Sequence, residues 1–161
     1  MKDAFGATYY IGFALFFIAL FASMLAVALN YSKAFRVKNT IISYIEENEG
    51  LSGVEDEIES YVRDMKYYVD NVNPGSKVNA YDEFDLSDVE CSSMGYCIYH
   101  YVPGNTASNN TAVEYKGDYY KVVTYVQVEF FINTIINENI GLDLDFKIPV
   151  SGETRVLNRN T

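Results

Sequence analysis

Hydrophobic and polar positions are distributed along this chain in three distinct regimes. The first is a run without a single charge between Asp3 and Lys33. Its apolar side chains are continuous, not periodic, and include Tyr9, Phe13, Phe17, Leu20, Phe21, Leu25 and Leu29. About 20 such residues cover the ~30 Å hydrocarbon core of a bilayer, and backbone in lipid must bond to itself, so the run predicts a membrane-spanning α-helix. Tyr9, Tyr10 and Tyr31 stand where the two lipid–water interfaces would lie. A cleaved signal peptide, with Ala26-Val27-Ala28 as its site, and a buried core helix are the competing readings.

In the second regime apolar residues recur at three and four. Ala34, Val37, Ile41 and Tyr44/Ile45 continue the first helix as an amphipathic one, giving a single helix over residues 8–48 that stops at Gly50. Ser52-Gly53-Val54-Glu55 reads as a capping box opening a second helix. Its buried stripe is Val54, Ile58, Tyr61/Val62, Met65 and Val69, and Asn73-Pro74-Gly75 ends it.

In the third regime, from Lys77, the period falls to two. Residues 80–94 are acidic (Asp82, Glu83, Asp85, Asp88, Glu90) and read as a solvated loop with room for one short strand. Tyr96–Val102 alternates as a strand, and Val113-Glu114-Tyr115 enters a hairpin through Lys116-Gly117-Asp118. Tyr119–Phe131 is the strongest strand, with Tyr120, Val122, Thr124, Val126, Val128 and Phe130 on the core face. Lys121, Tyr125, Gln127 and Glu129 take the other face. In Leu142–Ile148, Leu142, Leu144, Phe146 and Ile148 point inward and Asp143, Asp145 and Lys147 outward. Pro149 marks an edge or bulge, and Val150–Leu157 closes the sheet.

The expected fold class is therefore α+β. A long N-terminal helix, transmembrane in its first half, is followed by a second helix and a small, mostly antiparallel β-sheet domain. The divisions are an anchor over 1–32, a helical stalk and second amphipathic helix over 33–75, and a β-rich domain over 76–161.

Charge narrows the partners. From Asn39 onward 8 Lys and Arg face 21 Asp and Glu, a formal −13, which argues against nucleic acid and against docking on anionic lipid. The chain has 15 Tyr and 10 Phe but no Trp, a composition suited to strands and contact surfaces.

Candidate chemistry is sparse. His100 is the only histidine and lies in a strand, so a triad or histidine metal pair is hard to build. The acidic run Asp82–Glu90 lacks EF-hand spacing. Asp143 and Asp145 share a strand face with nothing converging on them, and no glycine-rich phosphate loop is present. Asn30-Tyr31-Ser32 and Asn109-Asn110-Thr111 match the glycosylation pattern. Cys91 and Cys97 are close enough, with Gly95 to turn the chain, for a disulfide that pins the acidic segment to the strand from Tyr96. Two free thiols and a zinc site are the alternatives. No enzyme and no cofactor is expected.

Gly6-Ala7-Thr8 leads into the apolar helix, and Phe13-Ala14-Leu15 looks like a Phe-Ala-Leu motif. The tail runs Val122–Val128, a loop, Leu142–Ile148, then Val150-Ser151-Gly152-Glu153-Thr154-Arg155. In these features and in its long N-terminal helix, the chain resembles TadE-like minor pilins and pseudopilins of tight-adherence, type IV pilus-like systems. Gly12 stands where that family usually carries a Glu. The resemblance implies a candidate leader cleavage between Gly6 and Ala7 and a pilin-like structural subunit of a surface appendage or secretion system. Its partners would be the lipid bilayer and other pilin-like subunits or a secretion-system membrane platform. A single-pass anchored extracellular binding or adhesin module is the alternative. Lys33, Arg36 and Lys38 after the span would place the domain in the cytoplasm by the positive-inside rule. The cysteine pair and the resemblance place it outside, and an extracytoplasmic domain at the cell surface is the expectation.

Overall fold

The computed structural model describes residues 2–72, 84–104, 117–128 and 146–158, with side chains from Tyr9 through Leu157. Expectations placed on Asn73-Pro74-Gly75, Asp82, Glu83, Asn109, Val113–Tyr115, Glu129–Phe131, Leu142, Asp143, Leu144 and Asp145 lie outside those residues. The elements are α1 (Lys2–Glu47), α2 (Glu55–Asp64), β1 (Phe84–Ser92), β2 (Tyr96–Pro103), β3 (Gly117–Val128), β4 (Phe146–Glu153) and the short β5 (Leu157–Asn158). The fold is α+β as expected. It comprises two units, Met1–Ser32 with Gln127–Ile148, and Lys33–Val126 with Pro149–Thr161. The continuous helix α1 contributes to both.

The sheet order is β1-β2-β3-β4, with β5 pairing the start of β3. β1 with β2 and β2 with β3 are antiparallel. Helix α1 packs Ala34, Val37, Ile41 and Ile45 into the core, all fully buried at the predicted spacing. The Thr124 hydroxyl, from β3, donates to the Ala34 carbonyl at 3.1 Å and reaches the Val150 carbonyl at 3.3 Å. Ile58 and Val62 of α2 and Val54 just before it are buried, and Tyr61 touches α1 through Thr40 (3.2 Å) and an edge contact with Tyr44.

Both helices end on a left-handed residue that is not glycine. Glu49 takes φ 53° and Gly50 N–H bonds the Ile45 carbonyl; Lys66 takes φ 50° and Tyr67 N–H bonds the Val62 carbonyl. These are Schellman caps whose left-handed residue is Glu or Lys in place of the usual Gly. Two expectations are corrected here. Gly50 is not the left-handed stop, and α2 ends at Asp64, well before Asn73. The second helix stops early because Tyr67 and Val69 are drawn into contacts with the β1–β2 hairpin, and a tertiary bond outweighs another turn of helix. The capping box is also corrected. Val54 is the N-cap, no side-chain cap bond forms there, and Glu55 accepts from Gly53 N–H at 2.8 Å.

The described part of the acidic segment is a nine-residue strand rather than mostly loop. β1 spans Phe84–Ser92 at the edge of the sheet, with Asp85, Asp88 and Glu90 exposed and a bulge between Leu86 and Asp88. Charge and a bulge are how an edge strand avoids pairing with another chain, so the pattern that reads as solvated loop is edge-strand chemistry. Pro149 lies in β4, at the other end of the sheet order, as its missing N–H requires.

β3 is central, and Val122, Thr124, Val126 and Val128 are buried as expected. Its opposite face is covered as well. Tyr119 and Val123 are buried with Phe84, Cys97, Tyr99 and Tyr101 in a second cluster. Tyr101 stacks on Tyr119 (4.7 Å, 7°), and Phe84 meets Tyr119 edge-on at 4.8 Å. Lys121 is accommodated there by Glu153, 3.1 Å away. A final correction concerns β4. Phe146 and Ile148, expected inward, are 53% and 49% exposed, and only Val150 of that face is buried.

Candidate functional site

The first feature is the run on α1. From Tyr9 to Ser32 every residue is exposed or half-exposed. Phe13, Phe17, Leu20, Phe21, Leu25 and Leu29 are all at least 40% exposed. Tyr9, Phe13 and Phe17 form an i, i+4 ladder with ring centroids 6.4 and 4.7 Å apart. The Ser23 hydroxyl donates back to the Ala19 carbonyl at 2.9 Å, which satisfies it without solvent. α1 is long and apolar enough to cross a membrane, and none of its apolar window is buried. Gly6 and Ala7 lie within the helical backbone. Nothing comes within 4 Å of a Cβ built on Gly12, so this chain's own packing does not require glycine there. Asn30 uses its side-chain amide on the Gln127 carbonyl at 3.4 Å.

The cations after the run are partly absorbed by the fold. Lys38 is buried, donates to the Ser151 carbonyl at 3.5 Å and lies 4.3 Å over the Phe35 ring. Lys33 donates to the Lys66 carbonyl at 3.4 Å.

The second feature is the β1–β2 hairpin. Cys91 and Cys97 are register partners with Cα atoms 4.1 Å apart, at disulfide distance. Gly95 N–H bonds the Ser92 carbonyl at 3.1 Å and Gly95 has φ 96°, a type I turn followed by a left-handed residue. Such a turn makes Ser92 and Tyr96 the closing bonded pair. Cys91 and Cys97 are then a non-bonded pair, the position where antiparallel Cα atoms approach most closely. The bridge joins the exposed edge strand to Cys97, which is fully buried. Of the sequence-derived alternatives, free thiols do not describe this pair.

Behind the hairpin tip sits Tyr67, which sequence reasoning did not single out. Its hydroxyl accepts from Tyr125 N–H and lies 2.8 Å from the carbonyls of both Gly95 and Tyr125. Burial pushes its phenol up to about 12, opposed by the Tyr125 backbone hydrogen bond and reinforced by the Tyr125 phenol. The one signal available in the sequence is a Tyr-Tyr pair just beyond an amphipathic helix.

A groove of about 370 Å³ runs between α2 and the hairpin, lined by Glu55, Ile58, Glu59, Glu90, Tyr96 and Ile98 among others. Its floor is apolar and its rim carboxylate. Burial raises the Tyr96 phenol, the Ser92 hydrogen bond lowers it, and Glu59 and Glu90 raise it further. His100 is half-buried, lies 3.0 Å from Asp118 and stacks on Tyr120 at 4.6 Å, so it ties β2 to β3. Among the described residues no group of three His, Cys, Asp or Glu is placed to hold a metal. Asp85, Asp88 and Glu90 are strung along a strand and not gathered. No known protein family, curated protein or solved structure matches this chain.

Proposed function

We propose that this protein is a membrane-anchored, pilin-like structural subunit of a surface appendage or secretion system. Its apolar helix would be held in the bilayer or in a bundle of like helices, with the α+β domain outside the cytoplasm. One observation carries the reading. Within the single helix α1, Tyr9–Ser32 leaves its apolar side chains open, whereas Ala34, Val37, Ile41 and Ile45 are wholly buried. Leaving even one large apolar side chain in water forgoes roughly 1.5–3 kcal/mol, so a run of this length needs lipid or partner helices. The cysteine pair supports an oxidising compartment. That Lys33 and Lys38 bond within the domain gives the basic residues after the span a structural reason to be there.

Fractionation of the native host tests the anchor. The full chain is expected with membranes, a chain beginning at Lys33 in the soluble fraction, and Leu20→Arg weakened in insertion by ~2.5–3.5 kcal/mol. Soluble recovery of the intact chain without detergent overturns the anchor. Cysteine crosslinking from Phe16 tests assembly, with a ladder of oligomers expected.

The groove favours a second reading, a single-pass anchored module that binds a basic ligand through Glu55, Glu59 and Glu90 over an apolar floor. Crosslinking that yields only monomer would move the balance to it.

A further inference from the structure

We propose that Phe146 and Ile148 rest in the boundary between headgroups and acyl chains of a bilayer, as a shallow lipid contact beside the anchor helix. This rests on the anchor reading above. Residues 146, 148, 150 and 152 share one face of β4. At Gly152 that face meets α1, where an added Cβ would come within 2.8 Å of Ile42 and 3.0 Å of Lys38. At Val150 it is still core, 9% exposed; at Ile148 and Phe146 it is 49% and 53% exposed. The apolar alternation therefore continues past the end of the domain's own core.

The register shows where it continues to. Tyr120 and Thr154 bond to one another, and Thr124 reaches Val150, so β4 falls as β3 rises. Extending that register sets Phe146 beside Val128. In the same unit, Gln127 accepts from Asn30, and Asn30 is three residues before Lys33 ends the uncharged run. Phe146 thus lies level with the end of the span, where exposed Tyr31 also sits.

Lipid is the occupant favoured over a second copy. Among the described residues of the sheet these two side chains fall far short of the ~1,000 Å² that a stable protein interface buries, whereas shallow insertion needs only a few. The acidic domain specifies zwitterionic lipid.

The chain has no tryptophan, so a single introduced indole reports its own surroundings. The full chain is reconstituted in phosphatidylcholine vesicles brominated at shallow or deep acyl positions, as Phe146→Trp, Ile148→Trp and, for reference, Leu20→Trp. The first two are expected to lose roughly half their emission to shallow bromines and less to deep ones, with the reverse for Leu20→Trp. If Leu20→Trp is quenched and neither sheet variant is, the inference is overturned, whether the sheet indoles emit as in water or as under protein. If Leu20→Trp also escapes quenching, the anchor reading itself fails and takes this one with it.

Discussion

The Tyr67 hydroxyl lies 2.8 Å from the Gly95 carbonyl, joining the chain just after α2 to the tip of the β1–β2 hairpin. The same oxygen accepts from Tyr125 N–H on β3. One phenol thus connects three segments, and stability measurements on the chain beginning at Lys33 should show it. Tyr67→Phe keeps the ring and leaves the Tyr125 amide without this acceptor. Chemical denaturation should report a loss of about 1–3 kcal/mol.

The same group sets an alkaline limit. The folded-state pKa of Tyr67, about 12, exceeds the ordinary 10.0. Between those values the folded chain holds a proton that the unfolded chain has released. Stability should therefore be level below pH 10, fall as pH rises from 10 to about 12, and level off above. Burial raises Tyr96, Tyr101 and Tyr125 as well, adding in the same direction. Denaturation midpoints across this window check it, and Tyr67→Phe should flatten the slope. A midpoint that rises with pH would contradict the assignment.

Gly95 and Gly53 make a matched comparison. Both have positive φ, 96° and 88°. A Cβ at Gly95 would fall 2.6 Å from Val69 Cβ and from the Val69 carbonyl, whereas at Gly53 it meets nothing within 4 Å. Gly53→Ala should cost only the conformational term, ~1 kcal/mol, and Gly95→Ala ~3 kcal/mol or more because backbone must move. Equal losses would mean that Val69 does not pack on the turn.

Lys66 is exposed and left-handed at φ 50°. Glycine takes that conformation without a Cβ penalty, so Lys66→Gly should raise stability by ~0.5–1 kcal/mol, read as a higher melting temperature.

The cysteine pair closes a short loop, with a sequence separation of 6. Replacing both by Ala should cost less than the ~3 kcal/mol expected for a 15-residue loop. Intact-mass analysis of protein with thiols blocked at lysis should show neither cysteine alkylated. Two alkylated cysteines in the native host would count against both the bridge and an extracytoplasmic domain.

Some features were determined by sequence alone because their cause is local or periodic. A long uncharged apolar run has one backbone solution in lipid, so Tyr9–Leu29 reads as helix before any contact is known. Ala34, Val37, Ile41 and Ile45 recur at helical spacing and lie buried at that spacing. Val122, Val126 and Val128 alternate and face the core. Other features depended on what lies across space, which no window of sequence contains. The length of α2 was decided by Tyr67 and Val69 reaching the hairpin. Phe84–Ser92, within the acidic segment, became an edge strand because β2 supplied its hydrogen-bond partners. The second face of β3 is buried because Tyr99, Tyr101 and Phe84 converge on Tyr119 from other strands. Phe146 and Ile148 carry the same alternation as Val150, yet they are about half exposed where Val150 is buried. Periodicity sets which side chains share a face, and tertiary packing alone decides whether that face is covered.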